Sequence, residues 1–275
     1  MKSYLKSFTK KSLVLNIGVL SFIILFFYLS RPLIDYPNIF QDVSAWSVFY
    51  TVFGVLYAIL AGFLIMDALS RFNDLKGLIE GEVNSLADIS ELIVRMNVSE
   101  EVKTNVLKGL IRYAEHVISV EWPEMVGAPQ RLNSQPPKAL QDLLDILKAI
   151  DTGSKKNELL FSILTDRLLL LGSKRTDRIA LTRQKIPFTL SLLLDFMSWT
   201  IIAGFIMMKI YGFWVHLVMV ATLVVGLRLL NTIIEDIDHP FEGAWVIKPF
   251  LFKEFIRSTK EMIGRVQGIE PTNTG

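Results

Sequence analysis

Three carboxylates stand close together near the C-terminal end of the chain, at Glu235, Asp236 and Asp238. Pro240 and Gly243 follow them, which is typical of a turn. Oxygen-rich turns can bind calcium, whose six to eight ligands include carboxylate and backbone carbonyl oxygens. The alternative is a solvated helix end followed by a packed turn. The spacing favours this structural alternative, because three carboxylates fall short of a full coordination shell unless a neighbouring subunit completes it.

Two further charged residues, Asp195 and Arg228, stand inside apolar segments. Burying a single charge in a bilayer costs several kcal/mol, so each side chain should face protein or water. We expect the two side chains to form an ion pair that sets the register of neighbouring helices. A direct role for Asp195 in ion permeation is the alternative.

The sequence lacks the motifs of common enzymes. It contains no GxxxxGK[ST] loop for nucleotide phosphates, no HExxH and no GxSxG. Its three histidines, His116, His216 and His239, lie in different segments, and it contains no cysteine. A cysteine nucleophile and thiolate metal sites are therefore excluded, and we expect neither a catalytic metal site nor an enzyme.

The apolar residues that surround these charges are bunched along the chain. Of 275 residues, 51% are hydrophobic and 20% are charged, and the mean hydropathy is +0.42. A net charge of +2 gives no reason to expect nucleic acid as a partner. A helix crosses a bilayer core of about 30 Å with about 20 residues. Four stretches meet this requirement: Leu13–Ser30, Ser47–Met66, Pro187–Met208 and Gly212–Leu230.

The distribution of lysine and arginine predicts the orientation of these spans. Four lysines precede the first span, whereas residues 31–46 carry one arginine and two aspartates. Positive residues stay on the cytoplasmic side, so we expect both termini and residues 70–186 to be cytoplasmic. No small-residue cleavage pattern follows the first span, which we therefore interpret as uncleaved.

The long segment between the second and third spans is predicted to be helical. From Arg71 to Met96 apolar residues recur with a period of about 3.6, which predicts one helix of more than 40 residues that continues the second span. Ser99 is the expected N-cap of the next helix, which should stop at Glu121-Trp122-Pro123. Two more helices, from about Pro137 to Ile150 and from Lys155 to Lys185, would complete a bundle.

The fold class that follows is an all-α integral membrane protein, with four transmembrane helices and a cytoplasmic helical bundle inserted between the second and third spans. The predicted domains are residues 1–69 with the first two spans, residues 70–186 with the cytoplasmic bundle, residues 187–230 with the last two spans, and residues 231–275 as a cytoplasmic tail.

Three segments resemble the bacterial bestrophin-like family: Tyr113 to Met125, Arg175-Thr-Asp-Arg178-Ile, and Asp236-Ile-Asp238-His-Pro240-Phe241-Glu-Gly243. In that family an E-W pair ends a helix of the cytoplasmic insert, and D-x-D-x-P-F-x-G follows the last of four spans. His239 stands where arginine is frequent in the family. The residues that match the family motifs are Glu121, Trp122, Asp236, Asp238, Pro240, Phe241 and Gly243.

The resemblance implies a function. Bestrophins are oligomeric ion channels whose second span lines the pore, with acidic residues after the fourth span. By this likeness we expect a homo-oligomer of five copies in the bacterial inner membrane, with inorganic ions as the permeating partners. The alternative is a non-conducting membrane scaffold or signalling protein whose cytoplasmic domain binds a partner.

Within the second span, an apolar stripe at spacings of three and four ends in a carboxylate. Its residues are Phe53, Leu56, Leu60, Phe63 and Asp67. Apolar constrictions can gate by dewetting, and carboxylate rings select cations, so we expect this stripe to line a pore that favours cations. Gly54, Ala58 and Gly62 form a separate face of small residues that another helix can approach closely. Ordinary packing of the bulky residues is the alternative.

Overall fold

The computed structural model describes residues 43–133, 135, 137–148, 155–208 and 212–267, and this part of the chain contains helices and no strands. The first predicted span, Leu13–Ser30, lies outside the described residues. The α-helices are α1 (Val43–Arg95), α2 (Glu100–His116), α3 (Trp122–Gly127), α4 (Lys138–Lys148), α5 (Lys155–Thr182), α6 (Phe188–Met207), α7 (Phe213–Asp238) and α8 (Phe250–Val266). The all-α prediction is confirmed for these residues.

Helix α1 is one uninterrupted helix of 53 residues. No proline occurs between Val43 and Arg95, so nothing removes a backbone hydrogen bond along it. Its buried side recurs at helical spacing, first at Tyr57, Ala61 and Leu64 and then in the more polar half. The expectation of a helix of more than 40 residues is therefore confirmed.

Among the described residues, three helices are long and apolar enough to cross a membrane: α1, α6 and α7. Helix α1 contains the second predicted span, α6 corresponds to the third, and α7 corresponds to the fourth. Helix α7 runs on to Asp238, past the predicted end of its span at Leu230. The helix continues because the residues that follow Leu230 still offer side chains to pack, among them the buried Ile234 and Ile237. The fourfold span count and the orientation stay predictions.

The residues divide into two compact units, the first formed by 43–72 and 185–246. Its core joins Tyr57 and Leu64 of α1 to Leu194 and Ile201 of α6 and to Ile234 of α7. A second cluster packs α6 against α7, and it contains Ile202, Ile206, Val220 and Val224.

The second unit contains residues 73–184 and 247–267. Helix α2 packs against α4 and α8. The Ser99 side chain accepts a hydrogen bond from the Val102 amide at 3.3 Å, with Glu100 and Glu101 in the first turn. The predicted N-cap is therefore confirmed. The segment after residue 230, predicted as one tail, is split between the two units at Val246.

The predicted helix stop at Glu121-Trp122-Pro123 is wrong. The chain stays helical as a π-helix from Val117 to Glu121 and then as α3. Pro123 lies in the first turn of α3, and the fixed φ of proline is compatible with this helical geometry. The π-helix widens the turn locally, and such insertions often place functional side chains.

Candidate functional site

The apolar stripe on α1 divides into two parts. Phe53 and Leu60 are half-buried and pack against the core of the first unit. Leu56 and Phe63 point away from that core and are 52% and 62% exposed. The structure therefore leaves Leu56 and Phe63 uncovered, and it gives Phe53 and Leu60 a packing role within the chain.

The face of small residues on α1 is also open. A β-carbon placed on Gly54 or Gly62 would meet no atom within 4 Å, and Ala58 is exposed. The described part of the chain thus supplies no helix that packs closely against this face.

Asp67, at the end of the stripe, belongs to an ionic cluster. The Arg71 guanidinium lies 3.1 Å from the Asp67 carboxylate and 3.0 Å from the Asp238 carboxylate. Asp238 also accepts a hydrogen bond from the Ile186 amide at 3.0 Å, at the entrance to α6. Two carboxylates and one guanidinium leave one formal negative charge in the cluster. The stripe predicted from the sequence ends at Asp67 and does not include Arg71, one turn further along the same helix.

Asp195 and Arg228 lie near each other, with Asp195 Oδ1 and Arg228 Nη1 3.9 Å apart. A closer partner of Asp195 is Asn231, whose amide donates to the same oxygen at 3.0 Å. Asn231 in turn accepts a hydrogen bond from the Tyr57 hydroxyl at 2.9 Å and donates to Ser198 at 3.2 Å. A polar chain thus joins α1, α6 and α7 beside the apolar core of the first unit.

The acidic motif after α7 organises the turn that follows it. Both Asp236 carboxylate oxygens accept the Ala244 amide at 3.1 Å, and one of them also accepts the Trp245 amide at 3.1 Å. Gly243 has a φ of +86°, and a β-carbon there would overlap the Asp236 carboxylate. The first aspartate and the glycine of the motif therefore depend on each other sterically.

The three predicted calcium ligands face different partners. Asp236 binds the turn amides, Asp238 binds Arg71 and the Ile186 amide, and Glu235 is exposed. Within the described residues no group of three His, Cys, Asp or Glu side chains is placed to hold a metal ion. Calcium binding stays a prediction.

The second unit contains a buried ionic network around the Glu121-Trp122 pair. Arg178 is fully buried and donates to Glu82 at 2.6 Å and to Glu121 at 2.6 Å. Arg175 reaches the other Glu121 oxygen at 2.7 Å. The Tyr113 hydroxyl donates to Glu82 at 2.6 Å. The two carboxylates and the two guanidinium groups therefore have no net formal charge. Buried charges are tolerated only when they are paired in this way.

The network shifts the pKa of Glu121 and that of Tyr113. Burial by itself would raise the pKa of Glu121, yet the Arg178 and Arg175 guanidinium groups outweigh it and hold the pKa below its ordinary value. Burial raises the pKa of Tyr113 well above its ordinary value, and the Glu82 carboxylate raises it further. The lowered pKa keeps the Glu121 carboxylate charged at neutral pH.

Sequence reasoning singled out Glu121, Arg175 and Arg178 but missed Glu82. A signal was available, because Glu82 falls at helical spacing between the apolar residues Ile79 and Leu86. All three are buried. A carboxylate on the apolar face of an amphipathic helix requires a buried cationic partner.

The apolar helices and their internal polar chain define the class of a helical membrane protein. The Bestrophin-like domain model matches residues 17–250, which is most of the chain. The chain belongs to the bestrophin-like family, as its motifs predict, and is a bestrophin-like membrane protein. Among curated proteins, none matches the chain.

Solved structures share the fold. A single-substitution variant of a bacterial bestrophin homologue from Klebsiella pneumoniae is similar with a TM-score of 0.70 at 14% identity, over 92% of this chain and 98% of that one. A second variant of that homologue is similar with a TM-score of 0.69 at 12% identity, over 95% of this chain and 100% of that one. A structure of the bacterial homologue from Klebsiella pneumoniae that was solved by zinc phasing is similar with a TM-score of 0.67 at 14% identity, over 94% of this chain and 98% of that one.

Proposed function

We propose that this protein assembles into an oligomeric ion channel of the bacterial inner membrane, in which α1 lines the pore. The observation that carries the proposal is the exposure of Leu56 and Phe63, bulky apolar side chains on a helix whose opposite side is packed into its own unit. Membership of the bestrophin-like family supports it, since bestrophins are oligomeric ion channels.

Several copies are needed to form a conducting path. The three apolar helices of the described residues pack against one another largely through apolar cores. One α1 from each of several copies encloses a path lined by Leu56 and Phe63, a constriction that can gate by dewetting. Five copies is the number suggested by the family likeness.

The Asp67, Arg71 and Asp238 cluster supports a preference for cations. Its formal negative charge is repeated once per subunit, and a ring of such charges at a pore mouth attracts cations and repels anions. The Arg71 guanidinium weakens this field, so we expect a graded preference and not strict exclusion of anions.

Ion flux into liposomes tests the proposal. Phe63→Ala shortens the side chain and so widens the constriction, and it should raise the leak of sodium and potassium severalfold. Asp67→Asn should lower the ratio of sodium to chloride flux, because it removes one negative charge per subunit. Stopped-flow fluorescence of ion-loaded vesicles measures both.

Phe196→Ala is the matched control, because Phe196 on α6 is 59% exposed, close to the 62% of Phe63. It should leave the leak unchanged. If the wild type and Phe63→Ala are equally tight to sodium, potassium and chloride, the pore assignment fails. A sealed dimer under the electron microscope would favour the scaffold alternative.

A further inference from the structure

A cavity of about 510 Å³ lies in the second unit, where α4 and α8 flank α2. Helix α2 contributes four of its lining residues, and the two flanking helices contribute the other three. Both flanking helices pack against α2, so α2 forms the floor of the cavity. Pockets that bind small molecules commonly have volumes of this order.

A glycine lets α4 lie close to α2 beside this cavity. A β-carbon placed on Gly109 would lie 3.0 Å from Leu143 Cδ1 and 3.9 Å from Ile146 Cδ1. Ile146 therefore lies over the backbone next to Lys108 and adds apolar surface to the lining. Ile111 on the floor and one isoleucine of α8, Ile263, supply the rest of the apolar lining.

The charged residues of the lining all have the same sign. Lys108 and Arg112 are four residues apart on α2, so they share a helix face. Lys260 of α8 is the third cation. Asn105, one turn before Lys108, adds a side-chain amide, and no carboxylate lines the cavity.

The three cations of this cavity are not neutralised by the described part of the chain. Their side chains are exposed and form no ion pair with a described carboxylate. Glu115 and Glu261, the nearest acids along α2 and α8, lie outside the lining. Three positive charges around one cavity attract an anion.

The charges and the apolar lining together select the kind of anion. A monocarboxylate has one negative charge and would leave two of the cations uncompensated. A phosphate monoester carries about two negative charges at neutral pH, and its oxygens accept the paired N–H groups of a guanidinium. The three isoleucine side chains suit a hydrocarbon chain. No lining residue is aromatic, so a nucleobase would find no ring to stack on.

We infer that this cavity binds a small aliphatic phosphate ester, with a phosphate or diphosphate head and a short hydrocarbon chain. The three cations and the Asn105 amide hold the head, and the chain lies against the three isoleucines. The inference does not depend on the pore proposal. Its test measures binding and not ion flux, so either proposal can fail without the other.

Isothermal titration calorimetry of the full chain in a neutral detergent tests the inference. Geranyl diphosphate is the probe, while pyrophosphate presents its head alone and geraniol its chain alone. We expect the probe to bind at least about tenfold more tightly than either, because only the probe combines charge-assisted hydrogen bonds with burial of a chain. Titration of each compound into detergent alone measures its partitioning into micelles.

Single substitutions separate the roles of the lining residues. Arg112→Gln and Lys260→Gln should each weaken both geranyl diphosphate and pyrophosphate about tenfold, since each removes one charge-assisted contact. Ile263→Ala should weaken geranyl diphosphate and leave pyrophosphate unchanged. Lys253→Gln is the matched control, because Lys253 is exposed on the same helix, outside the lining and about 10 Å before Lys260.

Four results would overturn the inference. Equal affinity for pyrophosphate and geranyl diphosphate would leave no recognition of the chain. Unchanged affinity in both cation variants would place the binding site elsewhere. No saturable binding by wild type with intact helical circular dichroism would remove the site. Tighter binding of phosphatidic acid, supplied in mixed micelles, would assign the cavity to a membrane lipid and not to a small soluble ester.

Discussion

At the scale of single residues, Arg178 shows how a fully buried charge is accommodated. It is bound by Glu82 and Glu121, and Arg175 and Tyr113 complete the network. A buried ion pair often contributes little net stability, because desolvation of both charges offsets their attraction. Removing one partner of a buried pair strongly destabilises the folded state, because it leaves an uncompensated charge in the interior.

Glu121→Gln should therefore destabilise the protein by about 3–5 kcal/mol at neutral pH. Arg178 would then keep one carboxylate, that of Glu82, and Arg175 would keep backbone carbonyl oxygens, among them those of Asn133 and Gln135. Thermal unfolding in detergent, followed by intrinsic fluorescence, measures the shift. Glu115→Gln, at an exposed position of α2, should change the unfolding temperature by less than a quarter as much.

The effect of Glu121→Gln on stability should depend on pH. The pKa of Glu121 is lowered in the folded state, so its stabilisation is present above the pKa of an unfolded glutamate, about 4.3, and is lost as the pH falls through the folded pKa. The difference between wild type and Glu121→Gln should shrink below about pH 4. An undiminished difference there would contradict the assigned role of this carboxylate.

At the scale of elements, the turn after α7 is built by one aspartate and one glycine. Asp236 accepts the amides of Ala244 and Trp245, and Gly243 provides the left-handed backbone that brings these amides to it. The first and last residues of the motif D-x-D-x-P-F-x-G therefore have a structural role, which is to form this turn. Its second aspartate, Asp238, anchors Arg71 and the entrance to α6.

Gly243→Ala should destabilise the protein by more than the 1–2 kcal/mol cost of a left-handed alanine, because its β-carbon also overlaps the Asp236 carboxylate. Gly77→Ala is the control: Gly77 lies in α1, where a β-carbon meets nothing within 4 Å. That change should be neutral or stabilising, since alanine favours helix. Unfolding temperatures that fall equally in both variants would refute this account of the motif.

At the scale of the whole molecule, large apolar surfaces remain uncovered on the three candidate spans. Ile59 and Met66 of α1, Phe188 of α6 and Trp214 of α7 are each more than 60% exposed. Lipid and neighbouring copies are the surroundings that accept such surfaces. The three helices therefore present the apolar surface of a membrane protein.

The predicted orientation can be tested because the chain has no cysteine, so each introduced cysteine is a unique label site. Asn38→Cys should react with a membrane-impermeant maleimide added to intact cells, since it follows the first predicted span. Gln135→Cys and Thr272→Cys should react only after the cells are opened. Labelling of Gln135→Cys in intact cells would reverse the topology.

Features that depend on local pattern could be predicted from the residues alone. Apolar length predicted the three candidate spans α1, α6 and α7, helical period predicted the long α1, and Ser99 with the two acids after it predicted the start of α2. The motif residues identified the family. Each of these features is encoded in residues that lie within a few turns of one another.

Contacts between side chains that are distant in the chain could not be predicted in this way. Glu82 and Arg178 are 96 residues apart in the chain, and Tyr57 and Asn231 are 174 apart. Pairing at such separation depends on how the helices pack, and no local period encodes it. The packing also divided the α1 stripe, because Phe53 and Leu60 turn toward the core while Leu56 and Phe63 turn away.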